Sequence, residues 1–280
     1  MSIYEDVTIV IVSYKSSTKV QNFIKNFARK FKIIIIENSK DIFLKNEINE
    51  LYKNVEVILS ENIGYGSAAN LAKKKILSKY FILCNPDIEG LNDDIIKKFY
   101  NKATKIDNRF LSLGPIFNDE FNKKYTEYHK VSKISGSCMF IDSEIFDLLE
   151  GFDENIFLYF EEDDLCRRAN KRKYFSYVLP EINLIHKSGT SVENLSLEGI
   201  KKLKELTLWH FIWSKYYFYK KEHGNLLSLI IFSPTLIRTL FRLAFYKIFK
   251  NDDKFNKYKM RLNGLVTSMK GLSSFKRMDN

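Results

Sequence analysis

Glycine and proline are scarce, 11 and 4 in 280 residues, which excludes collagen-like and low-complexity architectures. Cysteine is scarcer: Cys84, Cys138 and Cys166 stand far apart, with no Cys-x-x-Cys and no cysteine–histidine spacing suited to zinc. Three such thiols in apolar surroundings point to reduced, buried residues and a cytoplasmic protein. The first six residues are polar and run straight into a strand, so no signal peptide is expected. The chain also lacks a phosphate-binding Gly-x-x-x-x-Gly-Lys-Ser/Thr run. It carries no recognition motif of a nucleic-acid reader, and nucleic acid is not expected as a partner. No internal repeat interrupts the sequence.

Apolar and basic residues are what the chain has in quantity. Hydrophobic residues make up 45%, with 23 Phe and 16 Tyr. That is enough for one large core, or a core domain plus an appendage. Formal net charge is +11. The basic excess lies toward the C-terminus, which suits an anionic lipid surface or a phosphorylated substrate.

The first half alternates strands with helices. Val7–Ser13 is a continuous β-branched run, the pattern of a strand buried on both faces. Residues 18–31 then carry Val20, Phe23, Ile24, Phe27 and Phe31 at helical spacing, with Thr18 as the expected N-cap. Strands follow at 33–36, Val55–Leu59 and Tyr80–Cys84, and a helix at 68–77. This alternation predicts an α/β fold with right-handed crossovers and a Rossmann-like, mostly parallel sheet. Ligands bind such sheets at the carboxyl ends of the strands. Polar residues fall at those ends: Ser13-Tyr14-Lys15, Glu37-Asn38-Ser39, Asn62 to Gly66, and Asn85-Pro86-Asp87.

Each of these has two readings. Glu37 and Asn38 can hydrogen-bond a nucleoside base or ribose, or can close a turn. Asn62-Ile63-Gly64-Tyr65-Gly66-Ser67 opens a helix with a glycine loop that lets backbone approach a ligand. Asn70 on that helix faces ligand or solvent. Asp87, after Pro86, is placed to ligate a divalent cation or to form an Asx turn. His186, expected at the end of a short strand at 183–185, reads as a metal or phosphate contact, or as a structural histidine. Gly136-Ser137 reads as a small-residue bend entering a strand, and Ser143 as the cap of a helix at 144–149.

Glu161-Glu162-Asp163-Asp164 carries the most chemistry. It sits between Phe157-Leu158-Tyr159-Phe160 and Leu165-Cys166-Arg167-Arg168. Carboxylates held against apolar neighbours gain proton affinity, which suits a general base. The same run also complements a helix dipole.

The succession VTIVIVSYK, IIIIENS, ENIGYGSAAN, FILCNPDI, SGSCMFI, GFDENIFLYFEEDDLCRR and HKSGTS resembles glycosyltransferase family 2. The likeness is greatest to bacterial rhamnosyltransferase-type members with the GT-A fold, and it runs in order over residues 7–191. It implies a catalytic domain at 1–194 and a helical extension at 195–280. It further implies transfer of a sugar from a nucleotide diphosphate, with inversion and a divalent cation, Mg²⁺ or Mn²⁺. By the resemblance, Tyr14, Glu37 and Asn38 hold the nucleoside, and Ser13, Asn62, Gly64, Asn70 and Asn85 border the donor. Asp87 matches the last aspartate of the metal motif, and His186 the position beside metal or diphosphate. Glu162 matches the catalytic base, with Glu161, Asp164 and Arg167 completing its motif. Three departures stand out. Glu37 replaces an aspartate in a shorter loop, Asn85 leaves one carboxylate in the metal motif, and Glu162 replaces the commoner aspartate. The last change moves the carboxylate by about 1.5 Å, one C–C bond.

Past Ser191 the strand signals stop. Residues 197–221 are helical, rich in aromatics and lysines, a mix suited to a membrane–water interface. Residues 226–237 are strongly apolar but short of the ~20 needed to span a bilayer, with Pro234 expected to interrupt them. An interfacial helix or hairpin at the inner face of the plasma membrane is expected, against a cap on the core or a homodimer interface. A last helix is expected at 256–272 and a frayed end at 273–280. The leading expectation is a peripheral enzyme extending a lipid-linked surface glycan, with L-rhamnose from dTDP-rhamnose as the donor. A sugar-nucleotide nucleotidyltransferase is the alternative, but residues 13–17 lack its triphosphate loop. A non-catalytic, membrane-associated relative is the third class, kept open by the two Asp-to-Glu changes.

Overall fold

A computed structural model describes residues 2–106, 109–118, 127–187 and 191–278. The chain runs α1 (Ile3–Asp6), β1 (Val7–Ser13), α2 (Ser17–Ile24), β2 (Lys32–Glu37), α3 (Ile42–Leu51), β3 (Val55–Leu59), α4 (Tyr65–Lys73) and β4 (Tyr80–Cys84). It continues with β5 (Ile88–Glu89), α5 (Asp93–Ala103), β6 (Phe110–Phe117), β7 (His129–Val131), β8 (Cys138–Asp142), α6 (Ser143–Leu148), α7 (Glu161–Lys171) and β9 (Phe175–His186). Two long helices close it, α8 (Leu197–Ile248) and α9 (Asp252–Met269).

Strand order in the sheet is β3-β2-β1-β4-β8-β6-β9-β5, with β7 on β9. The first four are parallel, and β8 lies antiparallel to both β4 and β6. The sheet is therefore mixed: its first half is all parallel, and its second half combines antiparallel pairs with the parallel pair β6–β9. Alternate residues of β1 and β2 feed opposite faces. Ile9, Ile11, Ile33 and Ile35 pack with Phe23, Phe27 and Phe99 on one side. Val10, Ile34 and Ile36 pack with Ala68, Ala72 and Phe146 on the other. Helices cover both faces, which is why these strands are apolar without alternation.

Some boundaries differ from expectation for local reasons. The helix after β1 stops at Ile24, its N-cap is Ser16, and no side-chain cap bond is made there. Asp142, not Ser143, caps α6, its carboxylate accepting from the Ile145 N–H at 3.0 Å. The glycine-loop helix begins at Tyr65. His186 ends a twelve-residue strand, not a three-residue one.

Two compact units divide the described chain: residues 1–153 with 161–194, and residues 154–160 with 195–280. Residues 154–160 thus group with the C-terminal helices, a departure from the simple division at 194. In this second unit Gly224 (φ 79°, ψ 171°) breaks α8 into two arms. Pro234 lies inside the second arm and does not end it. Proline has no N–H for the Ile230 carbonyl, and the Ser233 hydroxyl donates to that carbonyl instead, at 2.8 Å. Of the segment expected to fray, residues 273–278 are packed, and 279–280 lie outside the described residues. His210 meets the Ser274 hydroxyl through Nδ1 and the Lys276 carbonyl through Nε2, both at 2.9 Å. Burial pushes its imidazole down to about 4.

Gly264 lets α9 sit close on α8: a Cβ there would meet the Trp209 carbonyl oxygen at 2.6 Å and Ile212 at 2.9 Å. Gly264→Ala gains about 1 kcal/mol of helix propensity but forces backbone apart. A net destabilisation of about 1–3 kcal/mol is expected, read as a lowered urea midpoint of unfolding.

Candidate active site

Asp87 reaches His186 because β5 pairs antiparallel with the end of β9, Ile88 opposite His186. Asp87 is 6% exposed. Its Oδ2 accepts from the Ser191 hydroxyl at 2.6 Å. Its Oδ1 lies 3.5 Å from His186 Nε2, too long for a good hydrogen bond, and has no hydrogen-bond partner among the described residues. Burial raises the proton affinity of this carboxyl, but the contacts with His186 and Ser191 outweigh it, and the net shift is downward. The other ring nitrogen, His186 Nδ1, meets the Ser137 hydroxyl at 3.2 Å. Asn118 fixes the His186 backbone, accepting from its N–H at 3.0 Å. Ser188, Gly189 and Thr190 of the loop after His186 lie outside the described residues.

Across the same bend stands the acidic helix start. Tyr159 and Phe160 enter α7 with φ of 67° and 70°, a backbone conformation costly for aromatic residues. Glu161 is 5% exposed, and its Oε2 has no hydrogen-bond partner among the described residues. Burial, with the neighbouring carboxylates, holds Glu161 well above the usual carboxylate range, and burial raises Glu162 too. A Cβ placed on Gly136 would lie 3.7 Å from the Glu162 carboxyl carbon and 3.7 Å from the Tyr65 ring. The Tyr65 hydroxyl donates to the Gly136 carbonyl at 2.7 Å. Gly136 therefore faces Glu162, while its neighbour Ser137 faces His186. Consecutive Cα atoms are about 3.8 Å apart, so the two acidic groups border one short stretch of chain. β8 puts it there: Cys138 pairs with Cys84, and the Asn85 N–H donates to the Ser137 carbonyl at 3.0 Å.

The other two carboxylates of the run are engaged elsewhere. Asp163 pairs with Lys133 at 3.0 Å. Asp164, 1% exposed, accepts from Arg168 Nε at 2.7 Å, and Arg168 also donates to the Leu149 and Gly151 carbonyls. Asp164 thus orients a clasp between α7 and the turn before it. Arg167 is exposed.

At the ends of β1 and β2 lies a second pair of buried polar groups. Glu37 is fully buried, and its Oε1 accepts from the Ser39 N–H at 2.7 Å and from the Ser39 hydroxyl. Asn38 donates to the Gly64 carbonyl at 3.3 Å. Glu37 Oε2 and Asn38 Oδ1 are buried acceptors without a hydrogen-bond partner among the described residues, a costly state that a ligand N–H or O–H can relieve. Buried Ser13 turns its hydroxyl to Ser16 at 3.0 Å, while Tyr14 and Asn62 are half-buried beside this rim. Gly64 adopts φ 95° at the N-cap of α4. Asn70, half-buried, grips the Phe152 backbone: its amide donates to and accepts from it, both at 2.9 Å.

Ser137, Tyr65, Ser191 and Arg168 complete the arrangement, and sequence reasoning had assigned none of them a part in it. The one available signal was Arg168, four residues after Asp164 on a helix. Among the described residues no three His, Cys, Asp or Glu side chains cluster as a metal site. The donor set for a cation is thus two-membered, Asp87 Oδ1 and His186. The orphaned oxygen fits a cation whose remaining positions are filled by a ligand and water.

No protein-family model matches the chain. A low-salt glycan biosynthesis hexosyltransferase of Haloferax volcanii is 24% identical over 194 residues, 60% of this chain and 62% of that protein. The matched segment thus spans less than two thirds of that relative's length. Rhamnosyltransferase WbbL of Escherichia coli is 25% identical over 219 residues, 64% of this chain and 83% of the relative. In fold, a mannosyltransferase from Pyrobaculum calidifontis, solved with GDP-mannose and Mn²⁺, aligns at TM-score 0.59 and 13% identity, covering 94% of this chain and 87% of that one. The chain thus has the GT-A fold, and in sequence it resembles family 2 glycosyltransferases and their rhamnosyltransferase-like members.

Proposed function

We propose that the protein is an inverting glycosyltransferase that moves a sugar from a nucleotide diphosphate to a hydroxyl of a growing glycan. The observation that carries this reading is the approach of Glu162 to Gly136 and of His186, with Asp87, to Ser137. A base and a diphosphate-binding pair then flank one stretch of chain, as in-line displacement requires. The leading donor is dTDP-rhamnose, in keeping with the rhamnosyltransferase among its relatives. The acceptor is a lipid-linked glycan at the inner face of the plasma membrane, in keeping with the apolar surface of α8.

Glu162 takes the proton of the attacking hydroxyl, and its raised proton affinity suits that exchange near neutral pH. Glu161, Asp164 and Arg167 belong to the same motif. Burial, with the charge of Asp163, raises the proton affinity of Glu162, and Asp164 positions α7 through Arg168. Asp87 and His186 would hold Mg²⁺ or Mn²⁺, which when bound stabilises negative charge on the departing nucleotide diphosphate. Glu37 and Asn38, with Ser13, Tyr14, Asn62 and Gly64, line the nucleoside side, and Asn85 links it to the bend through its backbone. Asn70 supports this site from behind by holding Phe152.

Glu162→Gln is expected to lower transfer by about 10²–10⁴-fold while nucleotide binding persists; unchanged turnover would remove Glu162 as the base. Asp87→Ala is expected to abolish Mn²⁺-dependent binding of dTDP in titration calorimetry. A thermal-shift panel of dTDP, UDP and GDP, each with and without Mn²⁺, reads the base preference. Protection by none of the three would favour a non-catalytic relative.

Glu161 gives a pH test. Its folded-state affinity for a proton is raised, so the unfolded chain ionises first as pH climbs past the ordinary glutamate range. Stability falls from there up to the folded-state value. Glu161→Gln removes this loss. The variant is expected to melt higher than the parent at pH 7–8 and to match it near pH 4, in thermal unfolding followed by circular dichroism.

A further inference from the structure

The second arm of α8, residues 225–248, is apolar where it is not packed. Ser228, Phe232 and Thr239 are buried on one side, and Phe232 and Leu236 pack with Tyr216, Tyr219 and Leu265. On the opposite side Leu226, Ile230, Ile237, Phe241 and Ile248 are 60% to 75% exposed. At 3.6 residues per turn these five fall within an arc of about 60°. Arg238 and Arg242 border that arc on one flank and Lys247 on the other. No carboxylate occurs from His223 to Asn251.

Deepening the membrane-side reading above and resting on it for its setting, we infer that this arm lies in the plane of an anionic lipid surface. Its five apolar residues enter the boundary between headgroups and acyl chains, and Arg238 and Lys247 meet lipid phosphates. Apolar centre and basic borders are the pattern of an interfacial helix, in which long cationic side chains reach back to the headgroups. Charge selects the occupant, because a stretch with cations and no anions complements an anionic bilayer. A second copy docked on the same face would bring its own Arg238 and Lys247 against these, with no acidic partner in the stretch.

Length and composition alone would let α8 cross a membrane, and 17% of its most apolar stretch is buried. Packing excludes that arrangement. Arg242 donates to the Tyr258 hydroxyl, and Tyr246 stacks on Tyr258 at 5.6 Å. The arm is thereby tied to the start of α9, which carries Asp252, Asp253, Lys254, Lys257, Lys259 and Arg261. A spanning arm would draw these charges into hydrocarbon, where they are costly. An in-plane arm keeps them in water.

The test uses the full chain and vesicles of phosphatidylcholine, alone or with phosphatidylglycerol, in a sedimentation assay. Binding to the anionic vesicles at least tenfold tighter than to neutral ones is expected. Ile230→Glu with Phe241→Glu is expected to abolish it. Arg238→Gln with Lys247→Gln should weaken anionic binding by roughly 25-fold, about fivefold per basic residue, and also guards against misfolding of the first variant. Fluorophores on single cysteines at 230 and 245 should report the same shallow depth by lipid quenching. Absence of vesicle binding, equal binding to both lipids, or a probe at the bilayer centre would overturn the inference. So would a dimer that Ile230→Glu with Phe241→Glu dissociates while vesicle binding persists. Nucleotide thermal shifts run in parallel separate the two readings: vesicle binding without nucleotide binding sinks the transferase alone, and the converse sinks the anchor alone.

Discussion

The two-residue ladder between Ile88–Glu89 and the end of β9 is the constraint on which the site depends. Without it Asp87 is a turn residue and His186 the end of a strand. With it, an aspartate oxygen and an imidazole nitrogen come to 3.5 Å. β8 makes the second join. By running antiparallel beside β4 it delivers Gly136 and Ser137 to the carboxyl rim of the parallel strands. A wholly parallel sheet would begin each strand at the opposite rim. The mixed topology therefore assembles the site as well as the fold.

How much of this was legible in the sequence differed by element. β1 and β4 could be read to their end residues, because strands covered on both faces must be apolar throughout; β3, an edge strand, was legible from its β-branched run despite half-exposed Glu56. β6 and the first half of β9 were missed. Gly114 and Pro115 interrupt the first and Pro180 the second, and the ladder between them shifts register beside Pro115. Residue chemistry at strand ends was legible, but spatial neighbours were not. No spacing in the chain says that Ser137 meets His186 or that Asn70 grips Phe152. Those contacts join elements far apart in the sequence, whose order is set by packing. The caps failed for a nearer reason: Thr18 and Ser143 sit within two residues of Ser16 and Asp142, and propensity does not choose between neighbouring capping residues.

The C-terminal unit illustrates the same limit. Composition showed aromatic, basic and apolar helices, and Pro234 looked like a stop. A hydroxyl one residue away supplies the missing donor, so the helix continues and the break falls at Gly224. Gly224 stands in open space, with nothing within 4 Å of a Cβ placed there. Its positive φ, not crowding, is what calls for glycine.

The helix that opens at Glu161 begins with four consecutive acids, yet most of that formal charge is cancelled where it stands. Lys133 offsets Asp163, Arg168 offsets Asp164, and Glu161 holds its proton tightly against burial. A polyanion approaching this edge of the sheet meets a field much weaker than a reading of the letters suggests. The run concentrates proton affinity at one point while sparing an incoming diphosphate the repulsion that four ionised carboxylates would impose.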